Sequence, residues 1–245
     1  SRLAAVSALR AGAGAVTLAS DSDSLLVNAS HLTSVMLKEI NNADDFFNFA
    51  KEKKINTLII GPGCGINLIT KELVIRAIKS EISFVLDADG LTLFQKNPNE
   101  LFDLLNKRRK RENIILTPHE GEFNRLFDFG KISKIDKANR AANITKSTIL
   151  FKGNDTIISS PKKISLITRD SSSFLATAGS GDVLSGICGS FLGQGMKSHY
   201  AAAAASWIHN EIGLDAGPGL IAEDMNKFIS KIMSKKLKRI YENGN

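Results

Sequence analysis

The run Ala176-Thr177-Ala178-Gly179-Ser180-Gly181-Asp182-Val183-Leu184-Ser185-Gly186 combines closely spaced glycines, one carboxylate and the start of an apolar helical stretch. Glycine has no Cβ to hold a ligand away, so its N–H can close on an anion, and a following helix adds the positive end of its dipole. Phosphate transfer suits such a turn. Gly179, Ser180 and Gly181 would form an anion hole, and Asp182 would take a proton from a hydroxyl group attacking phosphorus. On these residues alone, a tight turn with a helix-capping Asp182 explains the run equally well.

Four other segments end apolar runs in small or polar residues. Gly61-Pro62-Gly63-Cys64-Gly65 offers bare amides to a ligand, and no Lys-Ser/Thr pair follows to make it a Walker loop. In Thr117-Pro118-His119-Glu120-Gly121-Glu122 the proline stiffens a strand exit. His119 is then presented to a polar substrate group, and Glu122 to a metal ion directly or through water. Glu120 reads as an ordinary helix-start acid. Lys152-Gly153-Asn154-Asp155-Thr156 supplies a lysine for nucleotide phosphates and a turn for the rest of the nucleotide, with a plain Asn-Asp hairpin turn as its rival. Asp87 and Asp89 face one way if the chain stays extended, either orienting magnesium-bound water or capping a helix near Leu91.

These loops need a scaffold, and the apolar pattern supplies one. Short β-branched runs occur at Val16–Ala19, Thr57–Ile60, Phe84–Leu86, Ile114–Leu116 and Thr148–Phe151. Helical stretches are expected at Leu68–Lys79, Glu100–Arg111, Ile135–Lys146, Val183–Gly195, His199–Ile212 and Ala222–Tyr241. Such alternation predicts a mostly parallel sheet between helical layers, with ligands along the carboxyl edge of the strands. Thr156–Ser160 and Ile164–Thr168 flank Pro161-Lys162-Lys163 and predict an antiparallel hairpin at the sheet's end. All four polar strand ends would then meet the Asp182 loop.

The chain has 245 residues, 43% hydrophobic and 23% charged, enough for one large α/β domain. Its formal charge of +7 fits a phosphate-bearing partner without requiring one. Lys107-Arg108-Arg109-Lys110-Arg111 has no interleaved aromatics and reads as a solvated helix end rather than a nucleic-acid patch. Two distant cysteines, Cys64 and Cys188, give no zinc spacing and suggest a reducing, cytoplasmic setting. No apolar run is long enough to cross a bilayer, so no membrane partner is expected. Trp207 and His209, in an alanine-rich helical stretch, read as packing residues.

Taken in order, these segments resemble the ribokinase-like superfamily and, within it, the ADP- or ATP-dependent NAD(P)H-hydrate dehydratases. The resemblance is carried by Leu9-Arg10-Ala11-Gly12-Ala13-Gly14, Gly61–Gly65, Leu86-Asp87-Ala88-Asp89-Gly90-Leu91, Leu116–Glu122, Lys152-Gly153 with Thr156, Ala176–Gly186 with Gln194-Gly195, and Gly219–Asp224. It implies a ribokinase-like three-layer α/β/α sandwich with a mostly parallel central sheet and an antiparallel hairpin at one edge. The substrates it implies are NADH or NADPH hydrate and ADP or ATP with Mg2+, and it favours ADP. By this resemblance Asp182 is the base, Gly65, His119 and Asp182 contact the hydrate, and Lys152, Gly153, Asn154, Asp155, Thr156 and Gly181 contact the nucleotide. It further implies a homo-oligomer, and a single domain over residues 1–245 that lacks an N-terminal strand and glycine-rich loop, with a possible epimerase domain ahead of it.

Two departures stand out. Ser171-Ser172-Ser173-Phe174-Leu175 occupies the place of the family's common Asn-Pro pair, and Ala178 stands where a glycine is frequent. The competing readings are a small-alcohol kinase of the same superfamily, for a hydroxyethylthiazole or pyridoxal-like substrate, and a nucleotide-binding module without catalysis.

Overall fold

The computed structural model describes residues 1–108, 113–169 and 171–243. The first half of the chain forms α1 (Arg2–Arg10), β1 (Thr17–Ser20), α2 (Ser22–His31), β2 (Met36–Glu39), α3 (Ala43–Glu52), β3 (Thr57–Ile60), α4 (Leu68–Lys79), β4 (Ser83–Leu86), α5 (Asp89–Thr92) and α6 (Pro98–Lys107). The second half adds β5 (Ile114–Leu116), α7 (Glu120–Leu126), α8 (Lys134–Thr145), β6 (Thr148–Phe151), β7 (Thr156–Ser159), β8 (Leu166–Thr168), α9 (Ser180–Gly193), α10 (Ser198–Ala216) and α11 (Ala222–Asn243). Several helices begin where a short polar side chain takes a first-turn amide. Asp21 accepts from Ser24 N, Asn42 from Asp45 N and Asn67 from Thr70 N.

Strands β3, β4, β5 and β6 are parallel neighbours, and β7 and β8 continue the sheet antiparallel. The period-two alternation of the strands divides the core. Phe84, Leu86, Ile114, Leu116, Ile149 and Phe151 pack on one face with α4, α6, α7 and α8. Val85, Ile115, Leu150 and Ile158 pack on the other with α9, α10 and α11. The result is the expected three-layer sandwich with a mostly parallel sheet and an antiparallel edge. The antiparallel portion is larger than expected, because the Lys152–Asp155 turn is itself a hairpin joining β6 to β7.

Strands β1 and β2 pair in parallel as a separate two-stranded sheet. Val16–Ala19 and Asn56–Ile60 line one cavity of about 450 Å³ between this pair and the main sheet. Ser20 Oγ on β1 and Thr57 Oγ1 on β3 are buried without hydrogen-bond partners.

Two sequence expectations are corrected. Helix α6 ends at Lys107, and Arg108 is buried instead of forming a solvated helix end. Its guanidinium lies over Phe84 and donates to the carbonyls of Ala77, Ile78, Ser80 and Ile82, satisfying the C-terminus of α4. Arg109, Lys110 and Arg111 lie outside the described residues. Helix α9 begins at Ser180 rather than Val183, so Asp182 lies within the first helical turn.

Candidate active site

The geometry of the α9 turn follows from its glycines. Gly179 adopts φ +86, the left-handed region that only glycine enters without strain, and serves as the N-cap. Val183 N donates to Gly179 O, and Ser180 N donates inward to Thr177 O. Ser180 is therefore not an anion-hole donor through its amide, contrary to the sequence reading. Among the described residues, the amides of Gly179, Gly181 and Asp182 have no backbone acceptor. These three N–H groups lie at the positive end of a 14-residue helix, an arrangement suited to an anion. The Asp182 side chain retains 28% exposure, and its Oδ2 lies 3.5 Å from Ser1 N.

Lys152 reaches this turn from the end of β6. A Cβ placed on Gly181 would lie 3.3 Å from Lys152 Nζ, so the ammonium sits directly against the glycine. Its backbone N donates to Pro118 O, which fixes it beside the β5 exit. Lys152 Nζ lies 2.8 Å from Asp87 Oδ1 and 3.9 Å from Glu122 Oε2. Burial works against the charge, but the attraction of Asp87 and Glu122 outweighs it and holds the ammonium above the ordinary lysine pKa. Asp87 in turn accepts from Ser185 Oγ at 2.5 Å, which ties β4, β6 and α9 together beneath the turn.

Asp87 and Asp89 do not face one way. Ala88 turns through φ +45 and ψ −119, so Asp87 points into this buried network while Asp89 Oδ2 accepts from Gly65 N at 2.9 Å. Asp89 thus anchors the Gly61–Gly65 loop. Gly61 is required at its start, because a Cβ there would come within 1.7 Å of Asp87 O. The loop approaches Asp182 through Ser1, whose nitrogen a Cβ on Gly63 would meet at 3.3 Å.

His119 caps α7, its Nδ1 accepting from Gly121 N and Glu122 N, while Glu122 Oε2 accepts from His119 N. The accepting Nδ1 leaves the ring hydrogen on Nε2, on a side chain that is 53% exposed. Glu122 is buried, bonded to His119 N and near the Lys152 ammonium. In this arrangement Glu122 serves as a helix cap and as a counter-charge to Lys152. Among the described residues no three His, Cys, Asp or Glu side chains cluster as metal ligands.

The Lys152–Thr156 turn has a support that sequence reading missed. Lys134 Nζ donates to Asp155 O at 2.6 Å and to Lys152 O at 3.3 Å, over the Phe151 ring. Thr156 Oγ1 closes the turn on Gly153 O. Asn154 is exposed at its tip. Ser185 and His209, the latter bonded to Ser180, were also missed. Only contacts across many residues reveal such partners. The structure thus gathers Gly179, Gly181, Asp182, Lys152, Glu122 and His119 at the carboxyl edge of the parallel strands. The Gly61–Gly65 loop and the Gly153–Thr156 turn border them.

A profile of the NAD(P)H-hydrate dehydratase family matches residues 1–234. The ADP-dependent (S)-NAD(P)H-hydrate dehydratase of Neisseria meningitidis is 33% identical over 84% of this chain and 69% of its own. The bifunctional NAD(P)H-hydrate repair enzyme Nnr of Mycobacterium leprae is 33% identical over 73% of this chain, and the match spans 38% of that relative's length. A solved Bacillus subtilis ADP/ATP-dependent NAD(P)H-hydrate dehydratase, co-crystallised with ATP and Mg2+, superposes with a TM-score of 0.76 at 21% identity. It covers 96% of this chain and 86% of the other. The chain belongs to the NAD(P)H-hydrate dehydratase family.

Proposed function

We propose that this chain uses ADP to dehydrate NADH or NADPH hydrate. One observation carries the reading. Asp182 stands in a helix turn whose Gly179, Gly181 and Asp182 amides lack backbone acceptors, with the Lys152 ammonium against Gly181. A base, an anion hole and a fixed cation are what phosphoryl transfer to a hydroxyl group requires.

In this reading Asp182 takes the proton of the ring hydroxyl as that oxygen attacks the terminal phosphorus of ADP, forming the new P–O bond and releasing AMP. The turn amides and Lys152 hold the transferring phosphoryl group. The ring nitrogen's lone pair then breaks the C–O bond and expels phosphate. Loss of a proton from the adjacent ring carbon completes the double bond of the reduced nicotinamide. His119 Nε2–H and the Gly65 loop hold the hydrate, while the Lys152–Thr156 turn braced by Lys134 holds the nucleotide. Magnesium enters on the nucleotide's phosphates as part of the substrate. The Neisseria relative's ADP dependence supports ADP as donor.

The test mixes NADH hydrate, magnesium and either ADP or ATP with the natural polypeptide that contains this chain. Recovery of reduced-nicotinamide absorbance with ADP, lost in Asp182→Asn, supports the proposal. A stable phosphorylated product would assign the site to a small-alcohol kinase instead.

A further inference from the structure

His209 enters the α9 turn from behind, in the middle of α10. Its Nε2 lies 2.8 Å from Ser180 Oγ and 3.0 Å from Ser180 O. A carbonyl oxygen can only accept, so Nε2 carries the hydrogen and Nδ1 is bare. Burial pushes the His209 pKa down to about 4, which leaves the ring neutral with that single N–H.

The residue it grips is unusual in its neighbourhood. Ser180 lies between Gly179 and Gly181, so its side chain is the only one within the three-residue turn. Glycine backbones are free to move, and a turn of this composition has no other side chain by which to be held. The next residue on α10 holds the far end of the same loop: Asn210 Oδ1 accepts from Ser172 N at 3.0 Å. Adjacent residues of one helix thus pin both ends of the Ser172–Ser180 segment that leads into Asp182.

We propose that His209 is a positioning residue, which fixes the anion-binding turn and Asp182 by donating from Nε2 to Ser180. The role in turnover rests on Asp182 being the base, as proposed above. The bond and its tautomer do not.

The test compares His209→Leu, His209→Gln and Asp182→Asn in the natural polypeptide, alongside nitrogen NMR of the parent's imidazole. A misplacement of about 1 Å costs roughly 100-fold, so His209→Leu is expected to lose 10- to 100-fold in kcat. The Gln amide can donate from a similar position, and His209→Gln is expected to recover to within about threefold of the parent. A purely space-filling role would not distinguish leucine from glutamine in this way. Parental activity in a folded His209→Leu, or no rescue by glutamine, overturns the proposal. NMR is expected to find Nε2 protonated and Nδ1 bare; the reverse overturns it even if His209→Leu fails to fold. An active Asp182→Asn refutes the base assignment separately.

Discussion

Replacing Lys152 by methionine removes the cation beside Gly181 and strands Asp87, whose side chain is 2% exposed. Breaking a buried ion pair typically costs about 3–5 kcal/mol, because the remaining charge stays desolvated. Lys152 keeps 17% exposure and Asp87 keeps its bond from Ser185, so the lower end, about 3 kcal/mol, is expected. Asp87→Leu should cost a similar amount, leaving the ammonium with only the more distant Glu122 and Ser185 without its acceptor. The double variant removes both charges, so the pair should couple by at least about 2 kcal/mol in a urea-denaturation cycle. Activity should behave differently. Loss of about 3 kcal/mol of transition-state stabilisation lowers kcat/KM by roughly 100-fold, and restoring stability through Asp87→Leu should not restore it. Additivity of the two stability changes within about 0.5 kcal/mol, or an active double variant, would refute this account of the network.

Arg108→Leu should destabilise the fold by about 3 kcal/mol, since the carbonyls of Ala77, Ile78, Ser80 and Ile82 lose the guanidinium's hydrogen bonds, while kcat stays unchanged; thermal denaturation and the recovery assay check both. Lys134→Met should raise the KM for nucleotide several-fold with little change in kcat, because it loosens the Lys152–Asp155 turn without touching the reacting atoms. His209 titrates at about 4 in the fold against 6.5 unfolded, so the unfolded chain takes up the proton first. Its contribution is complete above about pH 6.5 and is lost as pH falls towards 4, up to about 3 kcal/mol. Denaturation midpoints across that range should slope accordingly, and His209→Gln should flatten most of the slope, with His199, also lowered by burial, contributing in the same direction.

The main layers were legible because the strands of the six-stranded sheet are short apolar runs and the helices that cover it carry apolar residues at helical spacing. Leu68–Lys79, Thr57–Ile60, Ile114–Leu116 and Thr148–Phe151 are found at the residues expected. The stretch holding α2, β2 and α3 was not assigned. Strand β2 is mostly exposed and does not alternate cleanly, whereas α3 does carry a signal, an apolar face of Phe46, Phe47 and Ala50 behind the Asn42 cap. The site's loops were visible as polar strand ends, but their internal bonding was not. Whether Arg108 sits in water or under α4 depends on Phe84 and on carbonyls some 30 residues away. Ala88's positive φ, which sends Asp87 and Asp89 apart, has no signal in its residue type. His209 looked like packing because its partner is 29 residues earlier in the chain.

The central claim is that the hydroxyl oxygen of the hydrate becomes an oxygen of phosphate before it leaves the ring. NADH hydrate labelled with heavy oxygen at that hydroxyl, turned over with ADP, is the most direct test. The account predicts that the label appears in inorganic phosphate, one labelled phosphate for each reduced nicotinamide recovered. Label released as water would contradict it, since the C–O bond would then have broken without phosphoryl transfer at the Asp182 turn.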